Sequence, residues 1–352
     1  MDNPVAQFCE DVFGVLPKFD PCARKAIMEN LPEKWAAAAD LLKDLTYYEL
    51  KIQMGIDNDG EDSWNYELNP IDSNMFHFPD DPPVVYNPLS FAQMAQKDIR
   101  LTRIQSITVS DRLPVKPKHI ISVADFSKTF HDLVVSLMPH PVVLNIQATK
   151  LTKANEAIFS PMIAFSRVTD LTLSFLEGQI ETTFEAKLAS DSLVKLHLCG
   201  NWLQKYHDDI LKGVKSGKLT DVYVHAPTEF KVTAELFAVF FEQWRESDGT
   251  KKLLLAGPCD FTLHDVKSCW EGDEKVKNFD KTLREDTMLF IKTHKMFCLI
   301  RPDRSTGVLT LKMASEPDKY VDPEPEVETP EEEEPPKRMK KSKSKSGKCN
   351  IA

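Results

Sequence analysis

The amino-acid sequence predicts an α/β protein in three parts: a small N-terminal helical module, an irregular β/α solenoid, and a disordered C-terminal tail. Three observations predict it. A strand-plus-helix unit recurs through the middle of the chain at a nearly constant spacing. The first 46 residues carry apolar positions at helical spacing. The segment from residue 315 onward holds almost no apolar side chains.

The helical module covers residues 1–46. Phe8, Val12, Val15 and Leu16 fall on one helical face before Pro17 breaks the run. Ala26, Ile27 and Leu31 mark a second helix, and Trp35, Ala38, Leu41, Leu42 and Leu45 a third. Residues 47–100 read as a hairpin and a Pro-rich loop. The stretch 47–54 alternates as a strand does, Asn58-Asp59-Gly60 is a turn signal, and Trp64 to Leu68 supplies the returning strand.

The repeat occupies residues 101–314. Its cleanest copy is Leu193-Val-Lys-Leu196-His-Leu198-Cys-Gly-Asn201-Trp-Leu203, which matches the leucine-rich-repeat template LxxLxLxxNxL. Leu193, Leu196, Leu198 and Asn201 are its structural positions. Looser copies carry Ile104 and Ile107, Leu144, Val168 and Leu171, Leu219 and Val222, and Leu253. The anchors 107, 144, 171, 196, 222 and 253 are 37, 27, 25, 26 and 31 residues apart. Amphipathic segments follow several strands, at 126–137, 154–165, 203–214 and 230–244. One strand–helix unit cannot bury both of its apolar faces, whereas stacked neighbours can. Residues 296–313 read as a closing hairpin. The competing architecture is a doubly wound α/β sheet, but neither GxGxxG nor GxxxxGK[ST] is present.

Composition and motifs point away from catalysis. HExxH and GxSxG are absent, and the seven cysteines form no CxxC pair, so no metal and no cofactor are expected. The nine histidines sit singly. His197 faces outward from a strand, and His225 follows another. The chain is read as a binding protein with no small-molecule substrate. No secretory signal and no run long enough to cross a bilayer is seen.

Charge is segregated. Of the net −10, residues 316–336 hold −9 and residues 337–348 hold +7, which leaves −8 on residues 1–315. An acidic body of this kind disfavours non-specific binding to nucleic acid, and no specific nucleic-acid partner is expected.

Pro4, Phe8, Val12 and Leu16, followed by Leu31-Pro32-x-x-Trp35, resemble an F-box, a compact three-helix module with an N-terminal Pro and a Trp near its third helix. The chain up to about residue 314 is similar to a large nematode group of F-box-like proteins with repeat-containing C-terminal halves. It departs from the F-box pattern at Asn3-Pro4, where the usual opening is Leu-Pro, and at Asp20-Pro21-Cys22. The resemblance implies docking to a Skp1-type linker and recognition of substrate proteins for a cullin-type ubiquitin ligase. The solenoid would then be the recognition surface.

Residues 315–352 form the tail. Its acidic run is followed by a basic patch of Lys337, Arg338, Lys340, Lys341, Lys343, Lys345 and Lys348, and the chain ends Cys349-Asn350-Ile351-Ala352. These four residues match C-a-a-X, with Ala at X pointing to farnesylation of Cys349. One lipid chain anchors only marginally, and the lysines supply a second attraction to an anionic membrane surface. The tail resembles that of prenylated Ras-type GTPases. The expected location is cytoplasmic with membrane association. Pro336-Lys337-Arg338-Met339-Lys340-Lys341 also reads as a nuclear import signal, so a nuclear scaffold is the alternative.

Overall fold

A computed structural model describes residues 46–56, 62–71, 87–99, 101–111, 119–138, 142–148, 152–175, 179–190, 192–281, 286–291, 294–303 and 308–316. The helical module to residue 45 and the tail from residue 317 lie outside the described residues. Among the described residues thirteen strands form one mixed sheet. In chain order the elements begin β1 (Thr46–Ile56), β2 (Asp62–Pro70), α1 (Phe91–Met94), β3 (Thr102–Ser110), β4 (His119–Ser122) and α2 (Val123–Thr129). Next come β5 (Val142–Gln147), α3 (Lys153–Ala164), β6 (Val168–Ser174), α4 (Gln179–Ala189), β7 (Lys195–Cys199) and α5 (His207–Lys215). β8 (Asp221–Val224), α6 (Ala234–Glu246), β9 (Leu254–Pro258) and α7 (Leu263–Val266) complete the alternating part. The last strands are β10 (Val276–Lys281), β11 (Asp286–Ile291), β12 (His294–Pro302) and β13 (Leu309–Glu316).

Seven strands run parallel in the order β1, β3, β5, β6, β7, β8, β9. The order never reverses. A doubly wound sheet reverses at a switch point and places helices on both faces. Here each helix from α2 to α7 packs on the next one along the chain, so the helices form one layer. Right-handed crossovers between strands laid down in one direction require this result.

The anchors line up across that block. Ile107 pairs with Leu144, Leu144 with Leu171, Leu171 with Leu196, and Leu196 with Val222. Val222 pairs with Leu255, which corrects the last anchor from Leu253 to Leu255. Leu253 is also buried, but it precedes the strand. A second correction concerns the hairpin at 47–68. It is joined to the repeat, because Leu50 of β1 pairs with Ile107 of β3 in the same sheet. The parallel block therefore starts at β1, and its last flanking strand extends to Glu316, two residues into the segment assigned to the tail.

Alternation decides which side chains enter the core. In β7, Leu196 and Leu198 are fully buried, while Lys195, His197 and Cys199 keep contact with solvent. β5 and β8 alternate in the same way. Each buried aliphatic anchor contributes about 1.5–3 kcal/mol. Several helices begin on side-chain caps. Thr152 accepts a hydrogen bond from Asn155 N, and Thr233 from Leu236 N, satisfying amides that the first turn leaves open. Antiparallel strands close both ends of the block: β2 and β4 beyond β1, and β13, β12, β11 and β10 beyond β9.

Candidate functional site

The helices cover one face of the parallel block. On the other face, the residue after each anchor is held in register with its neighbours. Thr108, Asn145, Thr172, His197, Tyr223 and Ala256 form one row across β3 to β9. The residues before the anchors form a parallel row of Ser106, Val143, Asp170, Lys195, Asp221 and Leu254. Side chains two apart on a strand share a face, so both rows belong to one open surface.

The centre of this surface, over β6 to β8, is the most chemically loaded. Lys195 Nζ lies 2.9 Å from Asp170 Oδ2 on the neighbouring strand. His197 Nε2 lies 3.2 Å from Asp221 Oδ1. The Tyr223 ring sits between two imidazoles, 5.5 Å from His197 and 4.3 Å from His225, centroid to centroid. The Asp170 hydrogen bond pushes Lys195 above its ordinary value, and the negative charges of Asp170 and Asp221 act the same way. Loss of hydration holds His225 below the usual imidazole value, although solvent still reaches it, and the neighbouring His197 charge adds to the effect.

Cys199 shares the face with His197, but burial pushes its thiol up. A nucleophilic cysteine needs the opposite shift, since the thiolate is the reacting species. Among the described residues no group of three or more His, Cys, Asp or Glu is placed to hold a metal ion. What the surface offers is a ladder of paired charges with an aromatic centre, suited to contact with another macromolecule.

The residues predicted from sequence are placed as follows. Leu193, Leu196 and Leu198 are buried in the core. Asn201 is exposed just beyond β7. Its Oδ1 accepts from Glu229 N at 2.9 Å, and its Nδ2 donates to Glu229 Oε1 at 3.0 Å, so it ties the loop after β7 to the loop after β8. Pro4, Phe8, Val12, Leu16, Leu31 and Trp35 lie outside the described residues. So do Cys349 and the basic patch from Lys337 to Lys348. The sequence reading singled out His197 and His225 but missed Asp170, Lys195, Asp221 and Tyr223. Aligning the copies on their anchors and reading one position either side would have found all four.

Among the described residues no helix is long and apolar enough to cross a membrane. Comparison of the chain with family models, with curated proteins and with solved structures finds no match.

Proposed function

We propose that this chain is a protein-interaction adaptor whose leucine-rich-repeat-like solenoid presents the open sheet face to a partner protein. One observation carries the reading. The parallel block buries one face under helices and leaves the other partly open to solvent, with Asp170, Lys195, His197, Asp221 and Tyr223 held in register across it. Surfaces of this type are used for extended contact between macromolecules. In the same reading, the F-box-like residues Pro4, Phe8, Val12, Leu16, Leu31 and Trp35 dock a Skp1-type linker. The recognised partner is then a substrate of a cullin-type ubiquitin ligase. The chain is not an enzyme in its own right.

The linker role has a direct test. The full chain is expected to co-purify with a Skp1-type protein, and removal of the first 46 residues is expected to abolish the association. Equal recovery with and without those residues, or none in either case, would falsify the ligase role.

The tail completes the proposal. A farnesyl group on Cys349, together with Lys337, Arg338, Lys340, Lys341, Lys343, Lys345 and Lys348, tethers the adaptor to an anionic membrane. Each basic residue near such a surface contributes about 1 kcal/mol. Cys349→Ser is expected to move the protein from the membrane fraction to the soluble fraction. The second reading, a non-ligase scaffold imported into the nucleus, rests on the same lysines and does not need the thiol. Under that reading Cys349→Ser leaves the distribution unchanged, which a membrane flotation assay would reveal.

A further inference from the structure

We infer that the acidic run at residues 317–336 docks back onto a lysine-rimmed cleft at the edge of the parallel block where its strands begin. The inference goes beyond the adaptor reading and does not depend on it.

Topology gathers the lysines. In a strand–helix repeat each helix carries the chain back to the edge where the next strand starts, so helix ends and strand starts share that edge. Residues 212–220 lead from the last turn of α5 to β8, and residues 247–253 lead from α6 to β9. These two segments hold five lysines, Lys212, Lys215, Lys218, Lys251 and Lys252, and one acid, Asp248. They are tied together, since Lys251 Nζ donates to Gly217 O at 3.3 Å. A helix C-terminus favours cations in its last turn, which accounts for Lys212 and Lys215 but not for the other three. Lys215 is paired with Glu235. Lys212 and Lys252 are exposed and make no ion pair among the described residues. Positive charge gathered here stands out on a body that carries −8. A cleft of about 100 Å³ opens beside these lysines, between the end of α4, α5 and the segment before β8. Leu188, Leu193 and Leu219 form its floor, and Asp209, Lys212 and Lys218 its rim. That volume admits the end of one small apolar side chain.

The chain itself supplies an occupant of matching chemistry. β13 runs antiparallel to β9 and ends at the same edge. Ser315 Oγ donates to Lys251 O at 2.6 Å and accepts from Leu253 N at 2.7 Å. The chain beyond Glu316 therefore starts beside Lys251 and Lys252. Residues 317–336 carry nine acids and one lysine. From β13 over β9 to β8 is two strand spacings, about 10 Å, which three or four extended residues cross. Within the run, Val327 stands between Glu326 and Glu328. Seated in the cleft, it brings a carboxylate to the rim on either side. Tethering holds the run near the cleft at an effective concentration of about a millimolar, so even a weak ionic contact is populated.

The test is zero-length cross-linking of the full chain with a carbodiimide at low salt, with the coupled peptides mapped by mass spectrometry. Cross-links are expected within single chains, from Lys212, Lys218, Lys251 and Lys252 to the carboxylates of residues 324–334, and are expected to fall about tenfold at about 0.5 M salt. Lys128, on α2 toward the other end of the helical layer, is expected to give none. A fluorescein-labelled copy of residues 317–336 gives a second readout, followed by anisotropy. It is expected to bind the full chain about tenfold more tightly once Glu324, Glu326, Glu328 and Glu331 to Glu334 of that chain are changed to Gln, because the tethered copy no longer competes. Adding Lys212→Glu and Lys252→Glu is expected to remove the gain. Cross-links from the acidic run confined to Lys337–Lys348 would overturn the inference, since the run would then pair with the basic patch that follows it. Equal peptide binding before and after the Gln changes, or a gain that survives the lysine changes, would overturn it as well. So would binding of phosphatidylserine vesicles through Lys212 and Lys252 with no cross-link to the tail. None of these outcomes bears on co-purification through the first 46 residues or on flotation through Cys349.

Discussion

Trp202→Ala is expected to lower stability by about 3–5 kcal/mol, the range for removing a large buried aromatic. The side chain is 1% exposed. Its ring packs against Phe184 at 4.6 Å, Tyr206 at 5.2 Å and Phe175 at 5.4 Å. Its Nε1–H donates to Cys199 O at 3.0 Å and Leu173 O at 3.3 Å, the ends of two adjacent strands. Its own carbonyl accepts from Phe230 N and from Thr228 Oγ1, in the loop after the next strand. One residue thus joins three successive repeats. Alanine leaves a cavity and takes the indole donor from both carbonyls, although Cys199 O keeps its bond from Phe175 N at 2.7 Å. Trp202→Phe separates the two effects, because it keeps most of the volume and loses only the donor, at about 1–2 kcal/mol. Urea unfolding of both variants measures the difference. A loss under 1 kcal/mol for alanine would mean that this seam does not couple the repeats.

The second large effect depends on pH and involves Lys187. This lysine of α4 is 2% exposed. Its Nζ donates to Phe165 O and Ser192 Oγ, each at 2.9 Å, and no carboxylate pairs with it among the described residues. Burial pushes it down from 10.5 to about 8. The sign follows from proton counting. Below pH 8 the folded protein must keep an ammonium group in a poorly hydrated site, and the penalty is complete. Between pH 8 and 10.5 the folded state has released the proton while the unfolded chain still holds it, so the penalty is relieved as pH rises. The gap between the two values corresponds to about 3 kcal/mol. Wild type is therefore expected to gain up to that amount relative to Lys187→Met over this window. The raised thiols of Cys259 and Cys298 act equally in both proteins and cancel in the comparison. Stability differences that stay constant from pH 8 to 10.5 would contradict the assignment.

Sequence patterns recovered the strands better than the helices. Alternation in Val142–Gln147 and Lys195–Cys199 is a local property, because each residue's neighbours two positions away share its face. The hairpin of β1 and β2 was legible for the same reason, with Asn58-Asp59-Gly60 as a turn signal in the sequence between them. Helix α4 was missed. Gln179–Ala189 is polar apart from Ile180, Phe184, Leu188 and two alanines, and it buries Lys187 as well, so its apolar stripe is thin. β10 and β11 were also missed. Asp286–Ile291 pairs with its neighbours in sequence, β10 and β12, but it is short and its run Asp-Thr-Met-Leu-Phe-Ile does not alternate between polar and apolar residues.

By itself the sequence determined the period of the repeat, the buried anchors from Ile107 to Val222, and the separation of charge between an acidic body and a basic end. All of these are properties of residues close together along the chain. The tertiary structure alone decided that the last anchor is Leu255, that the hairpin shares the sheet, and that Asp170, Lys195, His197, Asp221 and Tyr223 form one surface. Each of these outcomes depends on register between strands about 25 or more residues apart. Register is set by which apolar faces can be buried together, and a slip of one residue would turn every side chain of a strand to the opposite face.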